Sequence, residues 1–170
     1  KKLQTLFLDT KVLPLLMLSA LLISLNWLIY IWAISNHMLT EASLGYYINP
    51  LISTMLGILL YKDRPTQWQK VAIVLASLAI VYQVFSLGSL PLVSLGLGFS
   101  FAFYGYMRKK VNVPSALGLT IETLLLLPFA LGYFFYLEMT HIQTFNFALD
   151  SISILLLFAG FITVLPLLCF

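Results

Sequence analysis

Charge is what this sequence has least of. Fifteen of its 170 residues are Asp, Glu, Lys or Arg, a share of 9% where soluble domains carry about a quarter. So thin a supply cannot keep a globular surface hydrated, which excludes a soluble enzyme, a disordered tail and a nucleic-acid module. Cysteine is nearly absent as well: the single Cys169 excludes an internal disulfide framework and any Cys-based metal site. The two histidines, His37 and His141, lie far apart with no second ligand at metal spacing, so neither a metal nor a cofactor is expected. The basic start is not followed by a small-residue cleavage site, and a signal peptide is therefore not expected. No HExxH or GxSxG occurs, and the chain reads as a non-enzyme.

What is present is apolar. Hydrophobic residues make up 61% of the chain and aromatics 15%, with mean hydropathy +1.01, and the aromatics sit inside long apolar runs. The solvent these numbers fit is the lipid bilayer. A spanning helix needs about 20 mainly apolar residues, and six stretches reach or approach that length: 12–35, 42–61, 69–87, 91–107, 115–137 and 151–170. The connections between them are short except for 138–150. Short connections make successive helices antiparallel neighbours. The fold class expected is all-α, a polytopic transmembrane helical bundle.

The scarce charges then give an orientation. Lys1, Lys2 and Lys11 precede the first stretch, Lys62, Arg64 and Lys70 lie around the second connection, and Arg108, Lys109 and Lys110 around the fourth. Threading six alternating spans places all nine basic residues on one side, and the opposite connections hold Glu41, Glu138 and Asp150 with the two histidines. This is a strong positive-inside signal. It predicts a multi-pass protein of the inner membrane with 62–68 and 108–114 cytoplasmic and 37–41, 88–90 and 138–150 external. The chain starts at Lys1 and stops at Phe170 within an apolar run, so it is expected to be part of a longer protein.

Polar residues inside the apolar runs mark candidate sites. Ser19, Asn26 and Tyr30 are spaced by seven and four and share a helical face. An Asn at membrane depth requires a partner, so this face looks into the bundle, either as interhelical glue or towards a substrate. Pro50 withholds a donor from the carbonyl of Tyr46 and is expected to kink the second helix, with Asn49 beside the break and Ser53 one turn on. Such breaks are tolerated against protein or a cavity, and transporters use them to hold ligands. Thr40 is the expected N-cap of that helix, with Glu41 favoured in its first turn. Glu122 falls seven residues after Ser115 and hence about 10 Å into the fifth helix. A carboxylate there is costly unless paired, protonated or hydrated, which makes it a candidate proton or ion-coupling residue, or else a Glu reaching back to a basic loop. Ser94, Gly98, Ala102 and Gly105 form a small-residue stripe for close packing, and Ala72, Ala76, Ala79 and Gln83 are expected to do the same on the third helix.

The runs Asn26-Trp-Leu-Ile-Tyr-Ile-Trp-Ala33 and Glu41-Ala-Ser-Leu-Gly-Tyr-Tyr-Ile-Asn-Pro-Leu51 resemble the RarD branch of the EamA-type permeases, in the drug/metabolite transporter superfamily. Arg108-Lys-Lys-Val111 and Gly118-Leu-Thr-Ile-Glu-Thr-Leu124 extend the likeness along the chain. That resemblance implies ten helices in two five-helix repeats of inverted topology. Residues 1–87 would be the last three helices of the first repeat and 89–170 the first three of the second. It also implies a central cavity, with Asn26, Trp27, Tyr30, Tyr46 and Asn49 as lining candidates beside Pro50.

The function expected is therefore a secondary transporter for a small metabolite or drug, working by proton-coupled alternating access. The competing class is a non-transporting membrane scaffold or assembly subunit, whose interior would be wholly apolar. Expected partners are a small-molecule substrate and the lipid bilayer, with a homodimer left open and nucleic acid excluded.

Overall fold

The computed structural model describes residues 12–88, 91–111 and 113–140, with short helical stretches at 154–155, 158–160 and 162. Most of the sixth predicted span and of the connection 138–150 lies outside the described residues, as do Lys1, Lys2, Lys11, His141, Asp150, Pro166 and Cys169. Five helices occupy the rest: α1 (Val12–Ser35), α2 (Leu39–Tyr61), α3 (Gln67–Leu87), α4 (Leu92–Val111) and α5 (Ser115–Met139). No strand occurs among the described residues. All five coincide with apolar runs predicted from the sequence, and the fold is an all-α polytopic bundle.

The connections end the helices by local hydrogen bonding. After α1 the backbone turns at His37, whose φ of 61° lies in the left-handed region, and Met38 N–H returns to the carbonyl of Ala33 at 2.8 Å. Helix α2 consequently begins earlier than expected: Met38 occupies the N-cap and Thr40 lies inside the first turn. Lys62, also left-handed at φ 57°, closes α2. Helix α3 opens on a capping box in which Thr66 Oγ1 accepts from Gln69 N–H while Thr66 N–H donates to Gln69 Oε1. Arg108, Lys109 and Lys110 form the last turn of α4 rather than a loop, because α4 continues to Val111. Cations there complement the negative end of the helix dipole.

Four helices, α1, α2, α3 and α5, are long and apolar enough to cross a membrane. Their outward surfaces agree, with Leu28, Tyr82, Phe85 and Phe129 all largely exposed. Exposed apolar area on this scale is what lipid contact produces and water would penalise. Helix α4 falls below the same standard because its 20 residues end in three cations, Arg108, Lys109 and Lys110.

The described residues form two compact units. One is Met17–Val111, with most of α1 and all of α2 to α4; α5 belongs to the other. Inside Met17–Val111 the closest helix pair is α2 with α4, which are not consecutive, and α2 meets α3 far less. The pair runs parallel. Ser94 Oγ donates to the Glu41 carbonyl at 2.6 Å near the two N-termini, and the rings of Tyr61 and Tyr106 meet near the two C-termini. The expectation that consecutive helices are the main neighbours is thus corrected. The physical cause is side-chain size: a Cβ added to Gly45 would sit 2.9 Å from Leu97 Cβ, and one added to Gly98 would sit 3.0 Å from Ile48 Cγ2. Only glycine lets these backbones approach so closely.

Leu44, Ile48 and Ile52 of α2 pack with Ala102 of α4, flanked by Leu56, Leu95 and the α3 residues Ile80 and Val84. A second cluster joins Ala33, Ala42 and Leu97. Burying these side chains contributes roughly 25 cal/mol per Å² of apolar area where water is the alternative; within lipid the gain comes from packing contacts. The small-residue stripe expected on α3 does not pack this way. Ala72, Ala76, Ala79 and Gln83 are exposed, and α3 turns Ile73, Ser77, Ile80 and Val84 inward instead.

Candidate functional site

Asn26, suited by its sequence position either to interhelical bonding or to substrate contact, has a specific geometry. Its Nδ2 donates to the Leu97 carbonyl at 3.0 Å and to Ser100 Oγ at 2.9 Å, so the amide ties α1 to α4. Ser100 Oγ in turn donates to the same Leu97 carbonyl at 3.2 Å. The amide, the hydroxyl and the carbonyl form a closed polar set within an otherwise apolar contact.

One residue along, an aromatic chain begins. Trp27 meets Tyr30 edge-on with centroids 6.4 Å apart, and Tyr30 meets Tyr46 of α2 in the same manner at 6.0 Å. Edge-to-face pairs of this kind contribute about 0.5–1.5 kcal/mol beyond their area burial. Trp27 and Tyr46 are about half exposed or more, at 47% and 62%, so the cluster offers ring surface to a ligand as well as to its own members. Tyr30 is the half-buried hinge between them.

Asn49 and Pro50 lie one turn further along α2, which stays helical through the proline. Ser53 Oγ donates to Asn49 Oδ1 at 3.2 Å, and Thr54 Oγ1 donates to the Pro50 carbonyl at 2.8 Å. Both hydroxyls are thus spent on the turn after the proline and not on the Tyr46 carbonyl, from which Pro50 withholds a donor. The structure therefore brings Trp27, Tyr30 and Tyr46 together, turns Asn26 to α4, and leaves Asn49 and Pro50 to bonds within α2.

Glu122 belongs to the other unit. Only 1% exposed, it shares a buried face of α5 with Gly118 and Ile121, at helical spacings of three and four. Its depth along α5 is the one read from the sequence, and its burial makes it an ionisable group held out of bulk solvent.

A cavity of about 820 Å³, unmarked by any motif in the sequence, lies at the basic end of Met17–Val111. It is walled by α2, α3 and α4, with Asp63, Arg64 and Pro65 of the connection between α2 and α3 at its rim. Tyr61, Arg64, Gln69, Gly105, Tyr106 and Lys109 are among its lining residues. Lys109 Nζ sits 3.9 Å from the Tyr61 ring centroid, a cation–π contact that holds the ammonium against the wall. Tyr61 and Tyr106 are tilted together at 5.7 Å. Gly105 continues the register of the stripe that packs at Gly98, yet a Cβ added there would meet nothing within 4 Å.

Comparison with known proteins decides the family. Residues 1–85, half of the chain, match the EamA-like transporter family. The chain belongs to that family. Among relatives of this EamA-like chain, the protein RarD of Salmonella typhi is 46% identical over 92% of the chain and 53% of its own length. The uncharacterized transporter YojE of Bacillus subtilis is 46% identical over 91% of the chain and 51% of its own length. The chloramphenicol-sensitive protein RarD of Pseudomonas aeruginosa is 31% identical over 71% of the chain and 40% of its own length. The chain spans about half the length of the curated relatives it matches first. No solved structure matches this EamA-like chain.

Proposed function

We propose that the complete protein is a secondary transporter that moves a small metabolite or drug across the inner membrane by alternating access, coupled to protons through Glu122. Family membership supports transport itself. The observation that carries the finer reading is the burial of Glu122 in a helix long and apolar enough to span the bilayer. Intramembrane carboxylates are costly and mark proton or ion pathways by default. Binding a proton removes the charge and changes what that helix can be packed against, which is what coupling requires.

Substrate contact falls to Trp27, Tyr30 and Tyr46, with Asn49 and Pro50 on the adjoining turn of α2. The half-exposed rings suit an apolar or cationic organic molecule. Asn26 acts from behind, holding α1 against α4 so that the rings keep their spacing. The basic ends are the cytoplasmic ones, by the positive-inside rule. We read residues 1–87 and 89–170 as parts of two inverted repeats, and the family match over residues 1–85 ends beside that boundary.

The test is flux in proteoliposomes holding the complete protein. Chloramphenicol, taken from the name of the Pseudomonas aeruginosa relative, is the first compound to assay, followed by hits from a ligand thermal-shift screen. Glu122→Gln is expected to remove at least ten-fold of the pH-gradient-driven uptake while leaving substrate exchange across equal pH. Tyr46→Ala is expected to raise KM with a smaller effect on maximal rate. Gradient-driven flux that survives Glu122→Gln unchanged removes proton coupling from this residue.

A further inference from the structure

We propose that the cavity between α2, α3 and α4 binds the phosphate ester of an anionic ligand, with an anionic glycerophospholipid as its membrane source. This inference does not rest on the transport reading. Depth is the first argument. The cavity wall on α2 runs from Ser53 to Tyr61 and on α4 from Ala102 to Lys109, roughly 10–12 Å along each helix. Measured from the basic helix ends, that covers the headgroup layer and the first part of the hydrocarbon.

Charge is the second. The basic end of Met17–Val111 holds Lys62, Arg64, Lys70, Arg108, Lys109 and Lys110 against one acid, Asp63. Arg64 and Lys109 are the two cations on the cavity wall, and Asp63 is the acid there. Lys109 is held in place over Tyr61, so little side-chain freedom is lost when it meets an anion. Arg64 supplies the forked donor that fits phosphate oxygens. Gln69 spends Oε1 on the α3 cap, and its Nε2 is the group that can donate inward. The N-terminus of α3 adds its positive dipole end at the same rim.

Shape is the third. Above the polar rim the lining is apolar at Leu56, Ile73 and Ala102, and the hydroxyls of Ser53 and Thr54 at its inner end are spent on bonds within α2. A polar anionic head joined to an apolar body fits that gradient. Basic pockets between spanning helices bind lipid phosphates on these same terms.

The experiment measures lipid binding to the complete protein in detergent, by native mass spectrometry and thermal shift. Dioleoylphosphatidylglycerol is the probe, dioleoylphosphatidylcholine the zwitterionic control, and glycerol 3-phosphate the soluble competitor. Wild type is expected to prefer phosphatidylglycerol over phosphatidylcholine by at least ten-fold. Removing both cations in Arg64→Gln/Lys109→Gln is expected to weaken phosphatidylglycerol about 30-fold, whereas Lys110→Gln, which changes the field but not the wall, costs at most about five-fold. Asp63→Asn is expected to tighten binding. Gly105→Leu projects a branched chain into the cavity without altering charge and is expected to weaken phosphatidylglycerol binding, which guards against a double variant that merely fails to fold. If millimolar glycerol 3-phosphate displaces the probe, the phosphate ester is a soluble one; if it does not, the lipid is the ligand. Either result upholds the site. Equal affinity for the two lipids with no binding of glycerol 3-phosphate overturns it, as does binding that survives both the double variant and Gly105→Leu.

Discussion

The two ends of the α2–α4 pair are built from the same residue type and used in opposite ways. Near the N-termini, Gly45 and Gly98 lie so close to the facing helix that an added methyl group would collide with Leu97 or Ile48. Towards the C-termini, Gly105 sits in the continuing register of the stripe with open space beside it. A small residue on a membrane helix therefore does not by itself mean contact. At one end it admits a neighbouring backbone, and at the other it leaves room for a cavity. What separates the two cases is the partner: Gly45 faces the Cβ of a fixed branched chain, whereas Gly105 lines the cavity between α2, α3 and α4.

Substituting alanine along this line should reverse the sign of the effect from one end to the other. Gly45→Ala is expected to be the most damaging, destabilising the complete protein by about 3 kcal/mol in detergent unfolding, because the obstructing atom is a Cβ that cannot rotate away. Equal stability would mean that the helices stand further apart than described. Asn26→Ala tests whether the packed end also depends on polar bonding. Losing both donations to α4 is expected to cost about 1–2 kcal/mol, and unfolding curves superimposable on wild type would remove Asn26 from that role. Smallest and opposite in sign is Gly105→Ala, expected to gain up to about 1 kcal/mol from helix propensity with no clash to offset it. A loss there would show that the open end closes on itself.

Much of this architecture could be read from residue order. Long apolar runs gave five helices within a few residues of their observed ends, since hydrocarbon demands that every backbone group be satisfied within its own segment. The buried placement of Ser94, Gly98 and Ala102 was likewise legible, as was the depth of Glu122. Helix pairing was not. Short connections pointed to consecutive neighbours, but α2 prefers α4 because the glycines that permit close approach lie on those two helices. The alanines of α3 misled for a related reason: they form a regular stripe, yet the face that meets α2 and α4 carries Ile80 and Val84. Of the candidate site, the aromatic trio was foreseen as residues but not as a chain of touching rings. The cavity was not foreseen at all. Its cations carry an orientation signal in the sequence, and only the packing of α2, α3 and α4 gathers them with Tyr61 around one space.

Pairing across an intervening helix also sets a clock. Ile52 of α2 packs in one cluster with Ala102 of α4, and 50 residues separate them along the chain. At synthesis rates of about 5–20 residues per second, α2 exists for roughly 2.5–10 s before its main partner has been made. During that interval the groove beside Gly45 must be lined by lipid or by whatever assists insertion. Helix α3, sealed at its start by its own capping box, can enter the bilayer while α2 waits.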